Sequence, residues 1–155
     1  MNTIPLPATV SGNETMRGDG GPLDALVAFY RAFNGRDLAA LERHWAEGAA
    51  PSMDNPIGGI RRGWPSIRQG YARLFDGPAR VSVVFYDWTA TGNDAWRLFV
   101  GRESGSCAVA GDALELEIRT TRWFVRLDGR WRQLHHHGSI DDPRMLAAYQ
   151  RMVLG

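Results

Sequence analysis

The sequence contains no lysine, and all 18 of its basic residues are arginine. No side-chain amine is therefore available to form a Schiff base, whereas planar guanidinium groups that bind carboxylates are plentiful. The charge is also nearly balanced, because 17 acidic residues leave a formal net charge of +1. So small a charge provides no strong field for a polyanion, and we expect no nucleic-acid partner.

Cysteine is almost absent as well, with Cys107 as the single example. One thiol cannot form an intrachain disulfide, which favours a reducing compartment, and we expect the cytoplasm. No run of about 18 apolar residues occurs, so we expect neither a spanning helix nor a membrane partner. Residues 1–21 also lack the apolar core of a signal peptide, and we predict that they form a disordered arm before a single domain at 22–155.

Four helices are predicted in that domain. Apolar residues recur at three- and four-residue spacing from Pro22 to Asn34, and a second helix follows the capping residue Asp37 and is predicted to continue almost to Gly48. A third helix is predicted over 65–75, and a last one follows Asp141-Asp142-Pro143.

Four segments rich in β-branched and aromatic residues predict long strands. Asp128-Gly129 is a strong two-residue hairpin signal, so the last two strands are expected to be antiparallel neighbours in a meander. Ser104-Gly105 is interpreted as the turn that ends the second strand. Helices followed by such a meander favour an α+β fold, with a cavity between the helices and a curved sheet. The predicted strands are 80–89, 94–103, 112–127 and 130–139.

The last hairpin contains a distinctive set of residues, namely Thr121-Arg122, Asp128-Gly129, Trp131, His135, His137 and Ser139. This pattern resembles the association domain of calcium/calmodulin-dependent protein kinase. Residues 29–75, with the turn Asn55-Pro56-Ile57-Gly58, are similar to SnoaL-like and ketosteroid-isomerase-like sequences. The resemblance implies the cone-shaped fold of the nuclear-transport-factor-2-like (NTF2-like) superfamily over residues 22–140. Because that scaffold carries isomerases, cyclases, dehydratases and oligomerisation modules, it implies no single activity.

Arg122 matches an arginine that lines the pocket of the association domain. Strand alternation predicts that it shares the inner sheet face with Thr120 and Phe124, in mostly apolar company. A guanidinium there needs an anionic partner, which is either a ligand carboxylate or an internal acid. Arg97 is a second candidate pocket arginine. The internal acids considered are Asp54, Glu103 and Asp87.

The three consecutive histidines are predicted to divide between the two faces of the last strand. By the resemblance, His136 points into the pocket with Leu134, where it either orients or protonates a ligand or is a satisfied core histidine. His135 and His137 lie on the other face, so the triplet does not form one metal-binding cluster. His44, on the second helix, is a further candidate near the pocket mouth.

Ketosteroid isomerases and polyketide cyclases carry an acidic general base just before a proline, at the position that Asn55 occupies here. Asn55 has no titratable carboxylate, and Asp54 is expected to face the other way in an extended chain. The isomerase tyrosine falls on or next to Phe29, with Tyr30 adjacent. The isomerase machinery is therefore not carried over, and Asp54, Asn55 and Tyr30 are placed at the pocket mouth.

The leading functional hypothesis is a small-molecule-binding protein, either a cofactor-free enzyme or a ligand sensor, for a compact apolar ligand with an acidic group. The alternative is a self-association module with a vestigial pocket and an outer-face interface built from Trp131, Gln133, His135 and His137. An accessory protein without a ligand is the third hypothesis. We expect a homodimer, no cofactor and no metal ion. The candidate catalytic residues are His136 and Asp54, and the candidate ligand-binding residues are Arg122, Arg97, Tyr30, Asn55, Phe124 and His44.

Overall fold

A computed structural model describes residues 6–155 of the chain. In chain order the elements are β1 (Thr9–Val10), α1 (Pro22–Asn34), α2 (Leu38–His44), β2 (Ser52–Asp54), β3 (Arg61–Arg62), α3 (Trp64–Asp76), β4 (Arg80–Gly92), β5 (Trp96–Val109), β6 (Asp112–Leu127), β7 (Arg130–Ser139) and α4 (Pro143–Leu154). The strands of this described part form one open sheet in the order β1-β4-β5-β6-β7-β2-β3. The predicted α+β class is confirmed.

The predicted meander is also confirmed, because β4 to β7 pair with their neighbours in antiparallel fashion, while β2 pairs in parallel with β7. The turn predicted at Ser104-Gly105 is wrong, since β5 continues to Val109. A Cβ atom on Gly105 would lie 1.9 Å from the carbonyl oxygen of Ser82 on β4. This glycine therefore permits a close approach of two strands rather than a reversal of the chain.

The predicted helix starts agree with the structure. Pro22 occupies the first turn of α1, and the carboxylates of Asp37 and Asp142 cap α2 and α4. The second helix ends earlier than predicted, because Trp45 adopts an extended conformation and bridges to Gln133 on β7. Among residues 6–155, no helix is long and apolar enough to cross a membrane.

The segment before α1 differs from the predicted disordered arm. Thr9–Val10 pairs with β4 at the edge of the sheet, and the Val10 side chain is fully buried. The Asp24 carboxylate on α1 accepts hydrogen bonds from the backbone N–H groups of Arg17 and Gly18, each at 2.8 Å. These contacts attach the segment to the domain. Residues 1–5 of the predicted arm lie outside the described residues.

The core lies between the helices and the inner face of the sheet. The largest fully buried aromatic side chains come from α1, the residue after α2, and strands β4, β5 and β6. They are Phe29, Tyr30, Trp45, Phe85, Phe99 and Phe124. This aromatic layer surrounds the buried polar groups that form the candidate site.

Candidate functional site

A β-bulge in β7 determines which of its side chains face the core. The pairing of β6 with β7 shifts by one residue, so that Phe124 lies opposite Gln133 but Trp123 lies opposite His135. An extra residue reverses the alternation of side chains beyond it, and both Gln133 and His136 consequently face inward. His136 therefore has its predicted direction. The prediction that Gln133 faces outward is wrong, since this side chain is fully buried.

The side chain of Arg122 lies beneath α1 and is only 3% exposed. Its Nη2 donates to Glu103 Oε1, its Nε to the Tyr30 hydroxyl and its Nη1 to Gln133 Oε1, each at 2.9 Å. The guanidinium carbon also lies 3.9 Å from the centroid of the Phe29 ring, which adds a cation–π contact. Of the two partners left open by the sequence, the structure contains the internal acid, and it is Glu103.

Tyr30 closes this hydrogen-bonded ring. Its hydroxyl donates to Glu103 Oε1 at 2.7 Å and accepts from Arg122. Burial, reinforced by the Glu103 carboxylate, raises the pKa of Tyr30 well above its ordinary value, so the hydroxyl keeps its proton. Tyr30, Glu103, Arg122 and Gln133, here called the Arg122 network, therefore form a charge-balanced group inside the protein. Tyr30 belongs to this network rather than to the pocket mouth.

A cavity of about 40 Å³ borders the Arg122 network. Since one water occupies about 30 Å³ of liquid, this space has room for about one water and is far smaller than the roughly 300–1,000 Å³ of a typical small-molecule site. Its walls are mostly apolar side chains from α1, α3 and the sheet. The polar residues that line it are Asn55, Tyr71, Glu103, Arg122, His136 and Tyr149.

His136 is the imidazole of this cavity. Burial, followed by the nearby charge of Arg122, lowers the pKa of His136 well below its ordinary value, so the ring is neutral at neutral pH. Its Nδ1 lies 3.2 Å from the Thr121 carbonyl oxygen. Because a carbonyl oxygen only accepts, Nδ1 carries the proton and Nε2 is left as an acceptor. His136 therefore offers a hydrogen-bond acceptor without a charge.

A surface groove of about 360 Å³ lies next to the cavity. The two spaces have four lining residues in common, namely Asn55, Ile57, Gly70 and Leu74. Helix α4 lies over this region, where Gln150 Nε2 donates to the Pro56 carbonyl oxygen at 3.0 Å. Tyr149 on the same helix reaches the cavity and is 4% exposed. The shared residues and α4 thus stand between the cavity and the protein surface.

Asp54 lies on the outer face of the sheet, away from His136. Its Oδ2 is 2.6 Å from His137 Nδ1, and its Oδ1 is 3.5 Å from His135 Nε2. The parallel pairing of β2 with β7 sets Asp54 beside His137, while the alternate residue Met53 faces the cavity. The two candidate catalytic residues, His136 and Asp54, are therefore on opposite faces of the sheet.

The remaining candidates are dispersed. Phe124 is fully buried and packs edge-on against Phe99, with ring centroids 5.8 Å apart. Arg97 lines a different cleft, near the N-terminus of α1. Burial lowers the pKa of His44, and this residue is not among those that line the interior cavity. Asn55 borders the cavity, whereas Phe124, Arg97 and His44 do not.

Sequence reasoning missed three polar contributors to the site, namely Tyr71, Gln133 and Tyr149. Gln133 was hidden by the bulge, which no local residue pattern marks. Tyr71 and Tyr149 lay on the apolar faces of predicted helices, and such faces reveal which residues are buried but not which hydroxyls reach a cavity. Among residues 6–155, no group of three or more His, Cys, Asp or Glu side chains is arranged to hold a metal ion.

Several solved structures share this fold at low sequence identity. A candidate dehydratase of the NTF2-like family from Streptomyces avermitilis is 19% identical, with a TM-score of 0.65, over 74% of this chain and 90% of that one. A candidate calcium/calmodulin-dependent protein kinase type II association domain from Thiobacillus denitrificans is 22% identical, with a TM-score of 0.64, over 78% and 95%. An NTF2-like protein from Cytophaga hutchinsonii is 16% identical, with a TM-score of 0.65, over 80% and 98%. At these identities the similarity establishes the fold alone.

No curated protein matches the chain. The sequence model of the SnoaL-like domain matches residues 23–143, which include α1 apart from its first residue, helices α2 and α3, all the long strands and the whole cavity-lining part of the sheet. This match shows that the chain belongs to the SnoaL-like domain family, and its fold is the one shared by the NTF2-like structures above.

Proposed function

We propose that this protein binds a small, mostly apolar and uncharged molecule between its helices and the inner face of the sheet. The observation that carries the proposal is the lining of the cavity, where apolar walls surround one neutral imidazole and one internally balanced ion pair. A few fixed polar groups in an apolar pocket are typical of small-molecule sites.

The charge balance of the Arg122 network argues against the acidic ligand expected from the sequence. A ligand carboxylate that paired with Arg122 would displace Glu103, whose side chain is also buried. Leaving one member of a buried ion pair without its partner costs about 3–5 kcal/mol. A ligand hydroxyl, in contrast, can donate to His136 Nε2 and leave the ion pair intact. We therefore propose an alcohol or a similar neutral donor.

The cavity must enlarge to admit such a ligand, and the adjacent groove is the nearest available space. Its volume of about 360 Å³ falls within the range of about 300–1,000 Å³ that small-molecule sites occupy. Outward movement of α4 would break the hydrogen bond from Gln150 to Pro56 and withdraw Tyr149, joining groove and cavity. We propose that ligand entry follows this route.

The proposed role is binding rather than catalysis. Among the residues that the structure describes, Glu103 is the one carboxylate that borders the cavity, and it is neutralised by Arg122 and Tyr30. The one imidazole, His136, is a weakened base because burial lowers its pKa. Neither group is therefore suited to remove a proton from a ligand.

Thermal unfolding with three ligands of one size tests the proposal. Cyclohexanol is expected to raise Tm, by roughly 3 °C for each 1 kcal/mol of stabilisation, whereas cyclohexanecarboxylate is not. Cyclohexanone, which only accepts hydrogen bonds, is expected to be weaker than the alcohol. His136→Leu should abolish the preference for the alcohol, while the matched control His137→Leu, on the outer face, should keep it. Equal stabilisation by the carboxylate, or none by any of the three, would contradict the proposal.

A second candidate function is self-association as a homodimer through the outer sheet face. Val100 and Trp123, on the adjacent strands β5 and β6, are 44% and 39% exposed. Exposed apolar side chains that cluster on one face favour a protein interface. The interface expected from the sequence changes, because Gln133 is buried and Trp131 packs against the core.

Light scattering tests this second candidate. Trp123→Glu should convert a dimer to a monomer, whereas the control Ile60→Glu, at another exposed apolar residue, should not. A wild-type protein that is a monomer would exclude this candidate.

A further inference from the structure

We infer that the cleft between the N-terminal segment and the β4–β5 end of the sheet is a second binding site, for a planar aromatic carboxylate. The cleft has a volume of about 820 Å³ and shares no lining residue with the interior cavity. Residues 6–8 and the N-terminus of α1 form one side, and β4 and β5 form the other. This inference is independent of the ligand proposed for the cavity.

The floor of the cleft is aromatic and rigidly held. The pairing of β4 with β5 shifts between Tyr86 and Thr89, so that Asp87 and Trp88 together lie opposite Gly101. This bulge turns Trp88 to the inner face, where its ring stacks on Phe85 with centroids 6.3 Å apart. A Cβ on residue 101 would lie 2.7 Å from the Cβ of Trp88, so glycine is required there. The result is a flat apolar surface that suits a planar ring.

Arg97 supplies a donor beside this aromatic surface. It projects from β5 into the cleft with Phe99, and the buried Nε of its guanidinium has no hydrogen-bond partner among residues 6–155. Buried donors are normally paired, so this guanidinium lacks an acceptor, and its accessible part borders the cleft. The planar edge of a guanidinium matches both oxygens of a carboxylate. A ligand carboxylate therefore satisfies Arg97 in a way that a neutral amide does not.

The N-terminus of α1 adds to the attraction for an anion. Gly21, Pro22 and Leu23 line the cleft, and Gly21 contributes no side-chain cap to this 13-residue helix. The positive end of the helix dipole therefore borders the cleft, where the Asp24 carboxylate in the first turn offsets part of it. Two acids, Asp19 and Asp87, and a second arginine, Arg17, also border it. Because the two acids balance the two arginines, the cleft has no excess positive charge for a dianion, and a singly charged carboxylate is favoured over a phosphate.

Titration calorimetry on the full chain tests this inference with 2-naphthoate and its neutral isostere 2-naphthamide. The carboxylate should bind and the amide should bind at least roughly tenfold more weakly, as expected for loss of a charged hydrogen bond. Arg97→Gln should weaken 2-naphthoate by a similar factor and leave the amide unchanged. Arg126→Gln, at an exposed arginine of β6 outside the cleft, is the matched control and should change neither affinity.

Three outcomes would overturn the inference: no binding of 2-naphthoate at millimolar concentration, equal affinity for acid and amide, or undiminished affinity in Arg97→Gln. The comparison of acid with amide uses the unmodified protein, so the test does not depend on how well any variant folds. Trp88→Leu provides a separate check on the aromatic surface. It should weaken the acid and the amide by the same factor, because it removes ring contact but no charge.

Discussion

The buried ion pair between Arg122 and Glu103 makes a quantitative prediction about stability. In Glu103→Gln, the new amide oxygen can still accept from Arg122 and Tyr30, but the buried guanidinium loses its only charged partner in the network. Breaking a buried pair in this way costs about 3–5 kcal/mol. We expect the lower end, about 3 kcal/mol, because the hydrogen bonds to Tyr30 and Gln133 remain.

Urea unfolding followed by circular dichroism measures this loss. With a slope of roughly 1–3 kcal/mol/M for a small domain, a loss of about 3 kcal/mol lowers the midpoint by roughly 1–3 M. The matched control is Asp141→Asn, which removes the carboxylate from the pair that Asp141 forms with Arg119 at the surface. Both side chains of that pair are more than 60% exposed, so the control should cost at most about 1 kcal/mol.

The double variant Glu103→Gln/Arg122→Met separates loss of the pair from loss of one charge. Because no unpaired charge remains, it should recover much of the stability that the single variant loses. If Glu103→Gln cost less than about 1 kcal/mol, like the surface control, then the pair would not be buried as described. The explanation for a neutral ligand would fail with it.

Three further predictions concern other parts of the molecule. Gly105→Ala should prevent or severely weaken folding, as measured by soluble yield and thermal melting, because its Cβ would meet the Ser82 carbonyl oxygen at 1.9 Å. The free energy of unfolding should fall as the pH drops below about 6.5, the ordinary pKa of histidine, because the pKa of His136 is lowered in the folded protein and the unfolded chain therefore binds the proton first. His136→Gln should reduce the slope of this free energy against pH by up to about 1.4 kcal/mol per pH unit. An unchanged slope would show that His136 is not neutral in the fold. Asp37→Ala should cost about 1 kcal/mol in urea unfolding, since it removes the cap on the Ala40 N–H, whereas Glu115→Ala, on the exposed face of β6, should cost less than half of that.

The sequence predicted the elements of this fold better than the directions of its side chains. Periodicity located the helices, caps located their starts, and Asp128-Gly129 located the last hairpin, because these signals act between near neighbours in the chain. Strand alternation also placed Arg122 correctly on the inner face of β6.

The errors arise where a single residue shifts the pattern or where the partner is distant. The bulges at Leu134 and at Asp87-Trp88 each insert one residue, and nothing in their composition marks the change. Gly105 was mistaken for a turn because glycine serves both turns and close strand contacts. The N-terminal segment has little apolar character of its own, and its order depends on contacts with α1 and β4 that lie far along the chain.

The three nitrogen atoms of Arg122 bind side chains from α1, β5 and β7, so one planar group ties the first helix to two strands of the sheet. Lysine, with a single nitrogen, could not reproduce this geometry, and Arg122→Lys is not a conservative change in this protein. The tie also means that α1 cannot shift or rotate without disturbing both strands. An opening of the interior is therefore expected to avoid α1 and to involve the C-terminal helix, where a single hydrogen bond from Gln150 to Pro56 joins that helix to the turn before β3.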